Sequence, residues 1–130
     1  MNLEETYTEE NSLFFDSYAF FEMLKGNKNY EHYKRFKIVT TKLNIFELYL
    51  GLLRNIDEKT ADKYLEKYYS FVVDFDEETI KEAAKLKNEL NKREFSMTDC
   101  IGYILAGQLG IKFLTGDKEF ETFDNVEFVR

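Results

Sequence analysis

The stretch FSMTDCIGYILAGQLGIKFLTGDKEF, residues 95–120, decides the fold. Residues 96–110 read as a helix of the buried type, apolar on most sides, opened by Ser96 and closed by Gly110. KFLT (112–115) follows at once as a short apolar strand, and Gly116-Asp117 then turns the chain. The same alternation runs through the rest of the sequence. LFFD (13–16), KIVT (37–40), FVVDF (71–75) and VEFV (126–129) read as further strands. Between them, YAFFEMLK (18–25) is a helix closed by Gly26, and LNIFELYLGLL (43–53) is a nearly all-apolar one. Residues 57–69 place Ala61, Tyr64, Leu65 and Tyr68 on one helical stripe. Residues 76–94 start with Asp76-Glu77-Glu78 and end near Lys92-Arg93, matching the helix dipole at both ends. Strands alternating with helices predict an α/β fold with a mainly parallel five-stranded sheet flanked by helices. In such folds ligands sit outside the carboxyl ends of the strands.

At 130 residues the chain makes one domain, expected over 13–130 and preceded by a polar extension, MNLEETYTEENS (1–12). That extension lacks the apolar stretch of a secretory signal, and no apolar run reaches bilayer length, so a cytoplasmic protein is expected. Cys100 is alone, which excludes a disulfide framework or a cysteine metal site and suggests a small buried residue. The 13 Phe and 9 Tyr are assigned to core packing rather than to a base-stacking surface. The net charge is −7, and the basic cluster is limited to His32, Lys34, Arg35 and Lys37. Binding to a nucleic-acid backbone would therefore depend on metal ions or on another subunit.

With 25 acids present, surroundings matter more than number. Most Asp and Glu lie in mixed-charge helix faces. Asp16 is the only charge in LFFDSYAFF (13–21), Glu47 the only one in LNIFELYLGLL, and Asp99 the only one from Phe95 to Ile111. An ionised carboxylate in apolar surroundings is costly unless it is paired or binds a metal, and no Lys or Arg lies close in sequence. Asp16 ends the first strand and Asp117 ends KFLT, so both point to one sheet edge, which Glu47 and Asp99 reach from helix starts. Four carboxylates gathered there would raise each other's pKa values, and a divalent cation relieves that repulsion. All-oxygen ligation suits Mg²⁺ or Mn²⁺.

Each acid also has a purely structural reading. Asp16 fits a helix cap, Asp99 with Ser96 fits a capping box, and Asp117 after Gly116 fits a turn. Glu47 fits these least. Ser17 and Thr115 adjoin the acids and are expected to orient them. Asp74, Asp76 and Asp124-Asn125 read as turn or cap residues, and His32 as exposed.

With these residues in place the sequence resembles the PIN-domain family, in particular VapC-type toxins of toxin–antitoxin pairs. FFDSYAFFEMLKGN resembles the family's opening strand, acid and helix, and TTKLNIFELYLGLL its second segment, with Glu47 as the helix acid. FSMTDCIGYILAGQLGIKFLTGDKEF resembles the third and fourth, supplying Asp99 and Asp117. Ser17 stands where the family usually has Thr. The resemblance implies a five-stranded parallel sheet, an acidic pocket for Mg²⁺ or Mn²⁺ and cleavage of RNA phosphodiesters. It also implies a homodimer and a cognate antitoxin. The alternative is a PIN-like binding module, weak or inactive in catalysis, that acts through a protein partner. A receiver-like phosphorylation domain is disfavoured, because FFDSYA has one acid rather than two and VEFVR lacks the Lys such a site uses.

Overall fold

The computed structural model describes residues 10–90 and 94–130. Four parallel strands form its sheet: β1 (Ser12–Phe15), β2 (Lys37–Val39), β3 (Lys112–Thr115) and β4 (Val126–Phe128), in the order β2-β1-β3-β4. The helices are α1 (Ser17–Leu24), α2 (Lys42–Asn55), α3 (Glu58–Tyr68), α4 (Glu77–Glu89) and α5 (Met97–Leu109). The sequence-based boundaries agree to within a few residues, and part of the expected 76–94 helix, Asn91 to Arg93, lies outside the described residues. So do residues 1–9 of the expected extension.

Strand alternation produces two cores. Leu13 and Phe15 of β1 and Leu114 of β3 face α1, α2 and α3, where they meet Phe20, Leu48 and Tyr68. Phe14 and Phe113 point the other way, stack at 5.6 Å and pack against Ile101 and Leu105 of α5 and Phe120. Five of the Phe residues, Phe14, Phe15, Phe20, Phe113 and Phe120, are fully buried in these cores, whereas Phe46 is exposed. Cys100 is buried as expected.

One expected strand is absent, which reduces the sheet from five strands to four. FVVDF forms a single bridge, Thr40 to Val72, with Thr40 N–H donating to the Phe71 carbonyl and Val73 N–H to that of Thr40. Thr41 already caps α2, so Thr40 is the last extended residue on that side, and the chain from Val73 to Phe75 runs on to the α4 cap Asp76 outside any ladder. Val72 and Val73 then pack against opposite cores, which accounts for the apolar run without a ladder. A second feature escaped the sequence reading: Lys28–Arg35 form a 3₁₀ helix. Its Tyr30 is fully buried and donates its hydroxyl to the Val129 carbonyl at 2.8 Å. His32 is exposed on this segment.

β1 and β3 are the central pair. From β1 the chain moves to β2 on one side, and β3 enters on the other, so the direction of winding reverses between them. That reversal opens a crevice at their carboxyl ends. Gly116, just past β3, lies against it. A methyl there would overlap the Val129 carbonyl oxygen and the Tyr18 ring. Gly116→Ala is expected to cost about 2–3 kcal/mol, read as a lower urea midpoint at unchanged m-value; an unchanged midpoint would mean that the close approach is unimportant.

Candidate active site

The crevice is built around Asp16. It follows β1, caps α1 and is 3% exposed. One carboxylate oxygen accepts from Ser17 N–H at 2.8 Å, the other from the Thr115 hydroxyl at 2.7 Å. Its own N–H donates to the Leu114 carbonyl at 3.1 Å, tying the end of β1 to β3. Thr115 in turn accepts from Asp117 N–H at 3.1 Å, so the Asp117 turn is fixed to the same point.

Glu47 arrives from the second turn of α2, half-buried, and accepts the Ser17 hydroxyl at 2.6 Å. Ser17 therefore touches two acids, Asp16 through its N–H and Glu47 through its hydroxyl. Asp99 lies in the first turn of α5, in a capping box: Ser96 accepts from Asp99 N–H, and the Asp99 carboxylate accepts from Ser96 N–H, both at 3.0 Å. Asp117 caps a short 3₁₀ turn by accepting from Glu119 N–H at 3.0 Å. The structural readings of Asp16, Asp99 and Asp117 thus describe real hydrogen bonds.

These bonds do not remove the electrostatic strain. Burial, with Asp99 and Glu47 adding to it, raises the Asp16 carboxyl to about 7 against the pull of Thr115 and Ser17 N–H. Burial also raises Asp99, Ser96 opposes this, and Glu47 and Asp117 add to it. The four sequence-selected acids are therefore electrostatic neighbours. Among the described residues, however, no three Asp, Glu, His or Cys side chains form a group that could hold a metal ion as placed. Each carboxylate is turned onto a local donor instead. The donor chemistry still fits a hard cation: oxygens only, several negative charges, and protonation raised by burial and crowding. Rotation of Asp99 and Asp117 off their caps is what such an ion would require.

Charge scanning missed two residues of the site, Asn44 and Thr41. Asn44 is fully buried, accepts the Thr41 hydroxyl at 2.7 Å and donates its side-chain amide to the Ser17 hydroxyl at 3.1 Å. Asn44 is the one polar residue besides Glu47 in LNIFEL, three positions before it, and that was the available signal. A cleft of about 360 Å³ opens beside Asp99, lined also by Lys87, Glu94, Phe95 and Ser96. A larger hollow, about 490 Å³, is lined by Leu24 at the end of α1 and Lys37 at the start of β2, and so lies toward the opposite sheet edge; no acid lines it.

Residues 13–126 match the model of the PIN domain. The chain belongs to the PIN-domain family. Its fold is similar to that of VapC20 from Mycobacterium tuberculosis, described as a Sarcin-Ricin loop cleaving toxin. That match has a TM-score of 0.74 at 17% identity, over 91% of this chain and 99% of that one. VapBC2 from Rickettsia felis, bound to a DNA fragment from its promoter, gives 0.70 at 15%, over 92% and 99%. VapBC-1 from nontypeable Haemophilus influenzae gives 0.68 at 17%, over 90% and 96%. At these identities the likeness is one of fold. No curated protein matches the sequence. Within this PIN fold the sheet has four strands, not the five that the family resemblance implied. No helix among the described residues is long and apolar enough to cross a membrane.

The raised Asp16 has a consequence for stability. Its folded value, about 7, lies above the unfolded 3.8, so the folded protein holds the proton that the unfolded chain releases. That contribution is complete below pH 4 and is lost as pH rises through 7. Asp16→Asn is therefore expected to stabilise the protein, assayed without added metal, by up to about 4 kcal/mol at pH 8 and by far less at pH 4. Denaturant melts at the two pH values check this, and an equal effect at both would contradict it.

Proposed function

We propose that this protein is a metal-dependent endoribonuclease, the toxin of a VapBC-type toxin–antitoxin pair. The observation that carries the reading is the cluster of mutually repelling carboxylates around buried Asp16, at the winding reversal of a PIN fold. Asp16, Glu47, Asp99 and Asp117 would hold Mg²⁺ or Mn²⁺, and none of them attacks the substrate. When bound, the ion makes a nearby water more acidic and offsets charge on the scissile phosphate. The chain's own contribution is placement. Thr115 and Ser17 N–H fix both oxygens of Asp16, and the Ser17 hydroxyl fixes Glu47. Lys87, beside Asp99, donates to the Phe95 carbonyl at 2.6 Å and sets a cation at the mouth of the cleft, where an RNA phosphate would enter.

The partners follow from the same reading. A net charge of −7 is poorly suited to unaided RNA binding and well suited to a cognate antitoxin with a basic segment. A homodimer, which the family resemblance implies, and a cytoplasmic location complete the proposal. The second reading, a PIN-like module that binds a partner without catalysis, is favoured by one observation: the acids are satisfied locally by caps.

End-labelled single-stranded RNA separates these readings. Cleavage is expected with Mg²⁺ or Mn²⁺, is abolished by EDTA, and is reduced at least about 100-fold by Asp99→Asn. A folded, Mn²⁺-binding protein that leaves RNA of several sequences intact would favour the binding module. Cleavage that survives both EDTA and Asp99→Asn would sink the metal assignment.

A further inference from the structure

The hydrogen bonds behind Glu47 run in one direction. Asn44 N–H donates to the Thr41 hydroxyl oxygen at 3.3 Å, and the Thr41 hydroxyl donates to the Asn44 side-chain carbonyl at 2.7 Å. With its carbonyl engaged there, the Asn44 amide has its other end free to donate. Its NH₂ faces the Ser17 hydroxyl at 3.1 Å and occupies an acceptor site there. Ser17 has a single hydroxyl hydrogen, and it is delivered to Glu47 at 2.6 Å. Thr41, Asn44 and Ser17 are all buried, and no buried side-chain polar atom among the described residues lacks a partner. Each link donates toward the carboxylate, and in a low-dielectric setting such a chain strengthens its terminal bond.

We infer that Asn44 is a positioning residue for the metal site: by locking the Ser17 hydroxyl toward Glu47, it holds that carboxylate facing Asp16 and Asp99. This inference rests on the nuclease reading above and extends it to a residue that makes no contact with any of the four acids. Without the amide, the Ser17 hydroxyl is free to rotate, and Glu47 loses its one defined donor. Ser17 N–H would still bind Asp16, so the two acids lose their common anchor while the fold around α1 stays in place. A purely structural role, filling space and capping α2 with Thr41, would lower stability alone.

A double-mutant cycle read out by Mn²⁺ binding decides between the two, using calorimetry on the full chain and no RNA. Asn44→Ala and Ser17→Ala are each expected to weaken Mn²⁺ binding about tenfold, the low end for residues that orient metal ligands. The double variant is expected to be no weaker than the worse single one, because both break the same chain. Unchanged affinity in Asn44→Ala with only a lower melting temperature overturns the inference, as does a double variant showing the product of both losses. Failure of the unaltered protein to bind Mn²⁺ overturns the nuclease reading and this inference with it. Should Asn44→Ala not fold, the wild-type side-chain amide of Asn44 supplies the readout by NMR during Mg²⁺ titration. Its resonances are expected to shift with the same midpoint as the backbone amide of Ser17. An Asn44 amide that stays fixed while Ser17 shifts overturns the inference.

Discussion

The buried carboxylate of Asp16 is the constraint around which the rest of this molecule is arranged. It sits where β1 ends and α1 begins, in a place with almost no water, and its two oxygens reach in different directions. One accepts the first N–H of α1, the other the hydroxyl at the end of β3. A group that leaves water at such a cost persists only where its bonds and neighbours compensate. Here compensation is incomplete, since burial and two nearby acids still raise its proton affinity. The fold therefore carries a local electrostatic liability that a bound cation would remove.

Placing that liability at a precise point depends on the apolar sheet. Leu13, Phe14 and Phe15 alternate between two cores, which fixes the register of β1 against β2 and β3 and leaves no freedom in the direction Asp16 takes. Phe14 stacked on Phe113 holds the two central strands on one face, and Leu13, Phe15 and Leu114 hold them on the other. A slip of one residue would bury the wrong set and carry Asp16 away from Thr115. The aromatic content of this sequence thus acts on the site through the register of the strands that carry it.

Much of this arrangement was legible in the residues. Asp16, Glu47 and Asp99 stood out because each was the lone charge in an apolar segment, and the strand preceding Asp117 was plain from KFLT. FVVDF misled because β-branched and aromatic residues signal burial as well as pairing, and here Val72 and Val73 pack into the two cores beside a single bridge. The 3₁₀ helix at Lys28–Arg35 has no apolar periodicity to reveal it, and its anchor is a contact between Tyr30 and the distant Val129 carbonyl. Asn44 and Thr41 were passed over because a neutral polar side chain carries no charge to flag it. Their importance lies in a partner, Ser17, 27 positions from Asn44 in sequence.

The caps on Asp99 and Asp117 show why structural and functional readings of these acids are compatible. An N-terminal cap is worth about 1 kcal/mol, and it stabilises the helix start with the same oxygens a metal would take. In the metal-free state Asp99 and Asp117 therefore have somewhere favourable to point, which keeps four carboxylates apart. Bringing them together would cost roughly those two caps, and a bound cation would have to offset the repulsion that already raises Asp16 and Asp99. Glu47 differs from these two, because its donor is the Ser17 hydroxyl rather than a helix N–H, and that hydroxyl is itself aimed by Asn44. Asp16 and Glu47 thus share Ser17 as a donor, while Asp99 and Asp117 are each held by a cap, a division set by which donor each oxygen meets first.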